Sequence, residues 1–285
     1  MHEKDRVTIY EPGYKQKIGF FRVWATMLGN ITRSRELILQ LFRRDFVMAY
    51  RKSFIGIGWI FLQPVFGIIS WVIMNAAGVL NPGDVGIPYP AYVLLSTTIW
   101  SLFVGFYNAA SETLGAGLGI ILQVKYPHEV LLIKQTAQHL ANFILGFSLT
   151  IVVLLAFGVV PSWKIIFFPV VMLPLFFLGA GIGLVVSVFK VVIVDLQSGF
   201  NFILTFLMLL TPVVYSPAIS NGTLQVIMEW NPLTYMVCSL RDLTLYGTMG
   251  NIEGYLYSAL FSLVVFLLSW KFFFVAEDKV IEKLF

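Results

Sequence analysis

ITRSRELILQLFRRDFVMAYRKSFIGIGWIFLQP, residues 31 to 64, decides the fold, because a basic amphipathic segment runs into an uncharged apolar one within a few residues. At helical spacing Ile38, Leu41, Phe42, Phe46, Ala49 and Tyr50 share one side, and Gln40, Arg43, Arg44 and Arg51 the other. The pattern predicts a helix at a water boundary over about residues 34–52. Ser34 is placed to cap its start, with Glu36 in the first turn, where a carboxylate meets the positive end of the helix dipole. From Ser53 to Gly83 there is no Asp, Glu, Lys or Arg, so a membrane span begins where Arg51 and Lys52 leave the headgroup zone. Read alone, the basic residues fit a solvated helix held near anionic lipid.

Composition carries the same message to the whole chain of 285 residues. It is 58% hydrophobic and only 12% charged, whereas soluble domains run at about 25% charged. Charge-free stretches occupy residues 53–83, 85–111, 140–163, 165–189, 196–228 and 254–270. All but the last exceed the roughly 20 residues that cross hydrocarbon. The expectation is an all-α integral membrane protein with six spans, over about residues 55–79, 91–111, 140–159, 167–189, 199–216 and 254–272. Residues 1–30 read as an N-terminal cytoplasmic extension and 31–285 as a single transmembrane domain. No period-two alternation recurs, which argues against an outer-membrane barrel.

Lys and Arg set the orientation. Eleven of the 19 precede Ser53, and with Lys125, Lys134, Lys190, Lys271, Lys279 and Lys283 seventeen fall on one side, leaving Lys164 and Arg241 for the other. By the positive-inside rule both termini are cytoplasmic. The net charge of +4 reflects this asymmetry and not nucleic-acid binding. The single Cys238 excludes an internal disulfide and a cysteine metal cluster. The glycines of LGAGLGIILQVKYPHEV do not make a phosphate loop, since no Gly-Lys pair occurs in the chain.

Within the spans, Gly179, Gly181 and Gly183 are small enough for close helix packing. Between the fifth and sixth spans, Trp230 to Leu240 is too short to cross and too apolar for an exposed loop, which suggests a re-entrant outer hairpin with Arg241 and Asp242 at its rim. Away from the rims the expected spans hold no charged side chain. One at mid-bilayer costs about 2.5–3.5 kcal/mol and is kept for ion or proton work. Its lack weighs against a proton- or sodium-driven transporter and against an enzyme with paired carboxylates. Trp59, Phe66, Trp71, Tyr107, Phe202, Phe206 and Tyr215 offer flat apolar faces on which sugar rings stack, and are candidates for a conduit lining.

Three groups of residues carry a family resemblance. Tyr50, Arg51, Ser53, Gly56, Trp59 and Pro64 stand in the order YRxSxxGxxWxxxxP. Tyr126, Pro127, His128 and Glu129 form a turn before the apolar run VLLI. LLTPVVYSP at 209–217 is followed by Asn231 to Thr234 and then by Arg241. Together these resemble the permease subunits of polysaccharide-exporting ABC transporters, which export O-antigen, capsule or teichoic acid chains, over roughly residues 35–275.

The resemblance implies a bacterial cytoplasmic-membrane permease without catalytic residues, metal or nucleotide site, driven by two separate ATPase subunits that carry ATP and Mg²⁺. Arg43, Arg44, Tyr126, Pro127, His128 and Glu129 would meet the ATPase, and Tyr50, Arg51, Ser53 and Gly56 would form the gate between interface helix and first span. On this reading Glu129→Arg impairs ATPase docking and leaves insertion intact. One six-helix chain encloses little space, so a homodimer with the conduit on its two-fold axis is expected, passing a lipid-linked polysaccharide among membrane lipids. The alternatives are an ABC permease for another lipid or a drug, or a channel that needs no ATPase.

Overall fold

The computed structural model describes residues 20–51, 55–56, 58–115, 129–193, 195–218 and 222–282. Every regular element among them is helical. Two helices, α1 (Phe20–Arg33) and α2 (Arg35–Arg51), precede α3 (Gly58–Ala76), α4 (Tyr89–Ser111), α5 (Glu129–Ala156), α6 (Leu173–Lys190) and α7 (Leu196–Leu209). After these come α8 (Gly222–Trp230), α9 (Pro232–Leu245) and α10 (Ile252–Glu282). Tyr126, Pro127, His128 and Ser53 lie outside the described residues, as do the side chains of Tyr50 and Arg51.

Five segments are long and apolar enough to cross a membrane: Gly58–Ala76, Tyr89–Ser111, Glu129–Ala156, Trp163–Lys190 and Ile252–Ala276. The chain is a multi-pass membrane protein. The third of these begins well before the expected residue 140, because Glu129 and the apolar run after it are wound into the same helix. Where the fifth span is expected, α7 has only 14 residues. At 1.5 Å per residue that is about 21 Å of helix, short of a hydrocarbon core of about 30 Å. Non-helical chain continues from it through Pro217.

The centre of the molecule is α6, packed between α4 and α10. Its glycines are the reason. A Cβ on Gly179 would come within 2.9 Å of the Phe103 carbonyl, and one on Gly181 within 3.2 Å of Phe266 Cα. A Cβ on Gly183 would collide with the Tyr107 carbonyl and Ala110. Helix backbones thus touch on both flanks of α6, and in lipid such van der Waals contact is what holds helices together. Side-chain polar groups add to it. Thr98 and Thr150 join α4 to α5 at 3.0 Å, and Ser187 Oγ on α6 accepts from the Leu114 amide at 3.0 Å, just beyond α4.

His139 on α5 fills the notch left by Gly105 and donates from Nε2 to the Leu102 carbonyl at 3.1 Å. A carbonyl only accepts, which fixes the proton on Nε2. Opposite in character are α3 and α7, which bury one side chain each, Ile68 and Leu204.

Two local expectations change. Ser34 does not start a free helix, because its amide donates to Asn30 O and its carbonyl accepts from Ile38 N, both at 3.0 Å, so the ladder runs on from α1 into α2. Nor does packing break at residue 30. Val23 and Met27 of α1 are buried with Leu114, Leu184 and Phe273, and Trp24 meets Trp270 edge-on at 5.5 Å.

Candidate functional site

The candidate residues fall in three regions: the basic end with α2, the faces of α3 and α7, and the opposite end where α9 meets the chain after α7. At the basic end, Ile38 and Leu41 of α2 bury against Val130 and Leu131 of α5. Phe42 and Phe46 stack on each other at 5.7 Å. Arg43 and Arg44 are exposed, as the spacing of the helix requires. Asp45 is what the sequence reading missed. Its Oδ2 accepts from Lys134 Nζ on α5 at 2.9 Å and its Oδ1 from Arg44 Nε at 2.7 Å. Partial burial pushes the Asp45 carboxyl up, the hydrogen bonds from Arg44 and Lys134 pull it down, and the net is below the usual carboxylate range. Only the folded chain brings Lys134 to a residue 89 positions away.

Glu129 opens α5 and is 1% exposed. It lies in the interior of this chain, so Glu129→Arg would put a longer side chain of opposite charge into packed surroundings and disturb folding before any docking. Gly56 adopts a φ of 58° between α2 and α3, a left-handed conformation that glycine takes without strain. Beyond it, Pro64 lies inside α3.

The seven aromatics separate into three groups. Trp59 and Phe66 on α3 and Phe202 and Phe206 on α7 are exposed, Phe202 by 65%. Phe202 and Phe206 meet edge-on at 4.8 Å. Trp71 is partly buried against the core. Tyr107 is fully buried on α4, stacked on Phe200 of α7 at 6.2 Å. Tyr215 is also buried, and its hydroxyl donates to the Leu209 carbonyl at 2.9 Å. Four of the seven are therefore accessible, two on each of α3 and α7, while Tyr107 and Tyr215 are enclosed by their own chain. Composition alone cannot make that distinction, since it turns on which way each helix faces.

At the third region the chain after α7 leaves helical geometry, and its polar groups are taken up by side chains from α4 and from α9 with its N-cap. Tyr89 Oη donates to Val214 O at 3.0 Å and Tyr92 Oη to Tyr215 O at 2.7 Å. Asn231, which caps α9, donates to Thr211 Oγ1 at 2.9 Å. Arg241 is the centre of this arrangement. It is 3% exposed, its Nη1 donates to Tyr92 Oη at 2.6 Å and to Pro212 O at 2.9 Å, and Nη2 donates to Cys238 Sγ at 3.2 Å. The guanidinium also lies over the Tyr92 ring, 4.7 Å from its centroid.

Asp242 stands 3.8 Å from Arg241 Nε and is more accessible. Arg241 is thus not an exposed rim group but a buried clamp, because broken helix away from water needs donors that only the protein supplies. Among the described residues no cluster of His, Cys, Asp and Glu is suited to a metal ion.

A family model described as ABC-2 type transporter matches residues 36–245. The O-antigen export system permease protein RfbA of Myxococcus xanthus is 24% identical over 241 residues, covering 84% of this chain and 92% of that protein. A protein of the same name from Klebsiella pneumoniae is 22% identical over 220 residues, covering 75% of this chain and 82% of its own length.

Proposed function

The chain belongs to the ABC-2 type transporter family, and from that premise we propose that it is the membrane permease subunit of an exporter for a lipid-linked cell-surface polysaccharide of the O-antigen kind. The observation that carries this reading is the pair of relatives named as O-antigen export permeases, aligned along most of both chains. The exposed aromatics on α3 and α7 support it, since stacking tolerates a sliding polymer of sugar rings.

In the proposed mechanism two copies of the chain face each other across the conduit in the bacterial cytoplasmic membrane, with both termini in the cytoplasm. Two ATPase subunits, which hold ATP and Mg²⁺, push on the basic end through exposed Arg43 and Arg44. Asp45 and Lys134 transmit the push from α2 to α5, which are joined there by both packing and an ion pair. Because α3 and α7 are the least embedded helices, they shift most easily against the α4–α6–α10 core. This chain contributes binding surface and movement, and no bond is made or broken on it.

Deleting the gene tests the reading. Surface glycan should vanish while lipid-linked glycan accumulates inside the cell, and re-expression should reverse both. Normal surface glycan in the deletion strain would overturn it.

A further inference from the structure

The two ends of α7 are held by different means. At the end toward Pro212 the grip is buried: Arg241, Tyr89 and Tyr92 donate to the carbonyls of Pro212, Val214 and Tyr215 in that order, and the Ser216 amide donates to Pro82 O at 2.7 Å. At the start of α7 the grip is polar and partly wet. Glu112, one residue past the end of α4, accepts through Oε1 from both Lys190 Nζ, the last residue of α6, at 2.5 Å and Gln197 Nε2 of α7 at 2.9 Å. The Glu112 side chain is 43% exposed. Between the two grips only Leu204 of α7 is buried.

We propose that Glu112 and Lys190 form a releasable latch on Gln197, so that the first turns of α7 swing away from α4 and α6 while its far end stays pinned by Arg241. Exposed ion pairs are weak and are readily exchanged for water, whereas a buried guanidinium that satisfies several groups has no such substitute. The seam that opens is the one where Phe200 stacks on Tyr107. The Tyr107 hydroxyl is buried there with no hydrogen-bond partner among the described residues, so the latched state leaves a polar group that a rearrangement would satisfy.

Glu112 and Lys190 are positioning residues in this account, which rests on the permease reading for its purpose but not for its test. Hydrogen–deuterium exchange on the purified full-length chain reads the two ends of α7 separately. In Glu112→Gln or Lys190→Met, exchange over residues 195–204 should rise about five- to tenfold, with residues 207–216 unchanged. Exchanging the two charges, Glu112→Lys with Lys190→Glu, should restore wild-type exchange, because the Gln197 carboxamide accepts as readily as it donates.

Unchanged exchange at 195–204 in the single variants, an equal rise at both ends, or no rescue by the exchanged pair would overturn the latch. Exchange is read without cargo, so the latch can fail while glycan export stands. Equally, export of glycan can fail while the latch holds.

Discussion

The glycines of α6 meet the backbones of α4 and α10, whereas α3 and α7 bury a single side chain apiece. Both regions are apolar enough for lipid, so hydrophobicity does not distinguish them. What does is where glycine and polar side chains fall. Gly179, Gly181 and Gly183 spend their missing side chains on contact with α4 and α10, while Gly67 on α3 has nothing within 4 Å of where a Cβ would stand. The lesson is mechanical: the centre is fastened by backbone contact, and the two outlying helices are held to it by few buried side chains.

The largest effect that would sharpen this contrast lies where α7 joins the rigid part. Arg241→Ala should cost about 3 kcal/mol, since it orphans the Pro212 carbonyl and removes the charge beneath which Tyr92 is packed. Thermal unfolding of the detergent-solubilised chain would register this as a large fall in midpoint.

Next come matched glycine substitutions. Gly183→Val should destabilise by about 1–3 kcal/mol through overpacking against α4, but Gly67→Ala should stabilise by about 0.5–1 kcal/mol, because only the helix propensity changes. Equal responses from the two sites would erase the distinction between core and periphery.

On the outlying helices the expected loss is in rate and not in stability. Trp59→Ala combined with Phe206→Ala should leave unfolding unchanged and slow glycan export several-fold, each lost stacking surface weakening contact by about 1 kcal/mol. A drop in stability with normal export would mean that these rings pack within the assembly instead of touching cargo.

The smallest effect concerns the joint between α2 and α5. The carboxyl of Asp45 sits below its ordinary value, so its contribution is intact above the unfolded value of about 3.9 and is lost as pH falls through the lower folded one. Proteolysis of residues 35–51 should therefore accelerate only below about pH 4, and in Asp45→Asn the acid step should vanish.

Much of the fold was legible because lipid imposes a simple code. Charge-free runs mark spans, Ile38 and Leu41 against Arg43 and Arg44 mark a boundary helix, and closely spaced glycines mark packing. The site was less legible. Arg241 reads as a rim residue until the folded chain shows Pro212 O and Tyr92 Oη around it. Asp45 looks solvated until Lys134 arrives from α5, and Tyr107 and Tyr215 match Trp59 in chemistry but not in the direction they face. These are facts about long-range neighbours, and residue type records only what a neighbour could be.

Proteoliposomes test the central claim most directly. Vesicles containing this chain alone should hold back lipid-linked glycan, and adding a partner ATPase subunit with ATP and Mg²⁺ should start its movement across the bilayer. Free passage of glycan through the chain alone, indifferent to nucleotide, would contradict it.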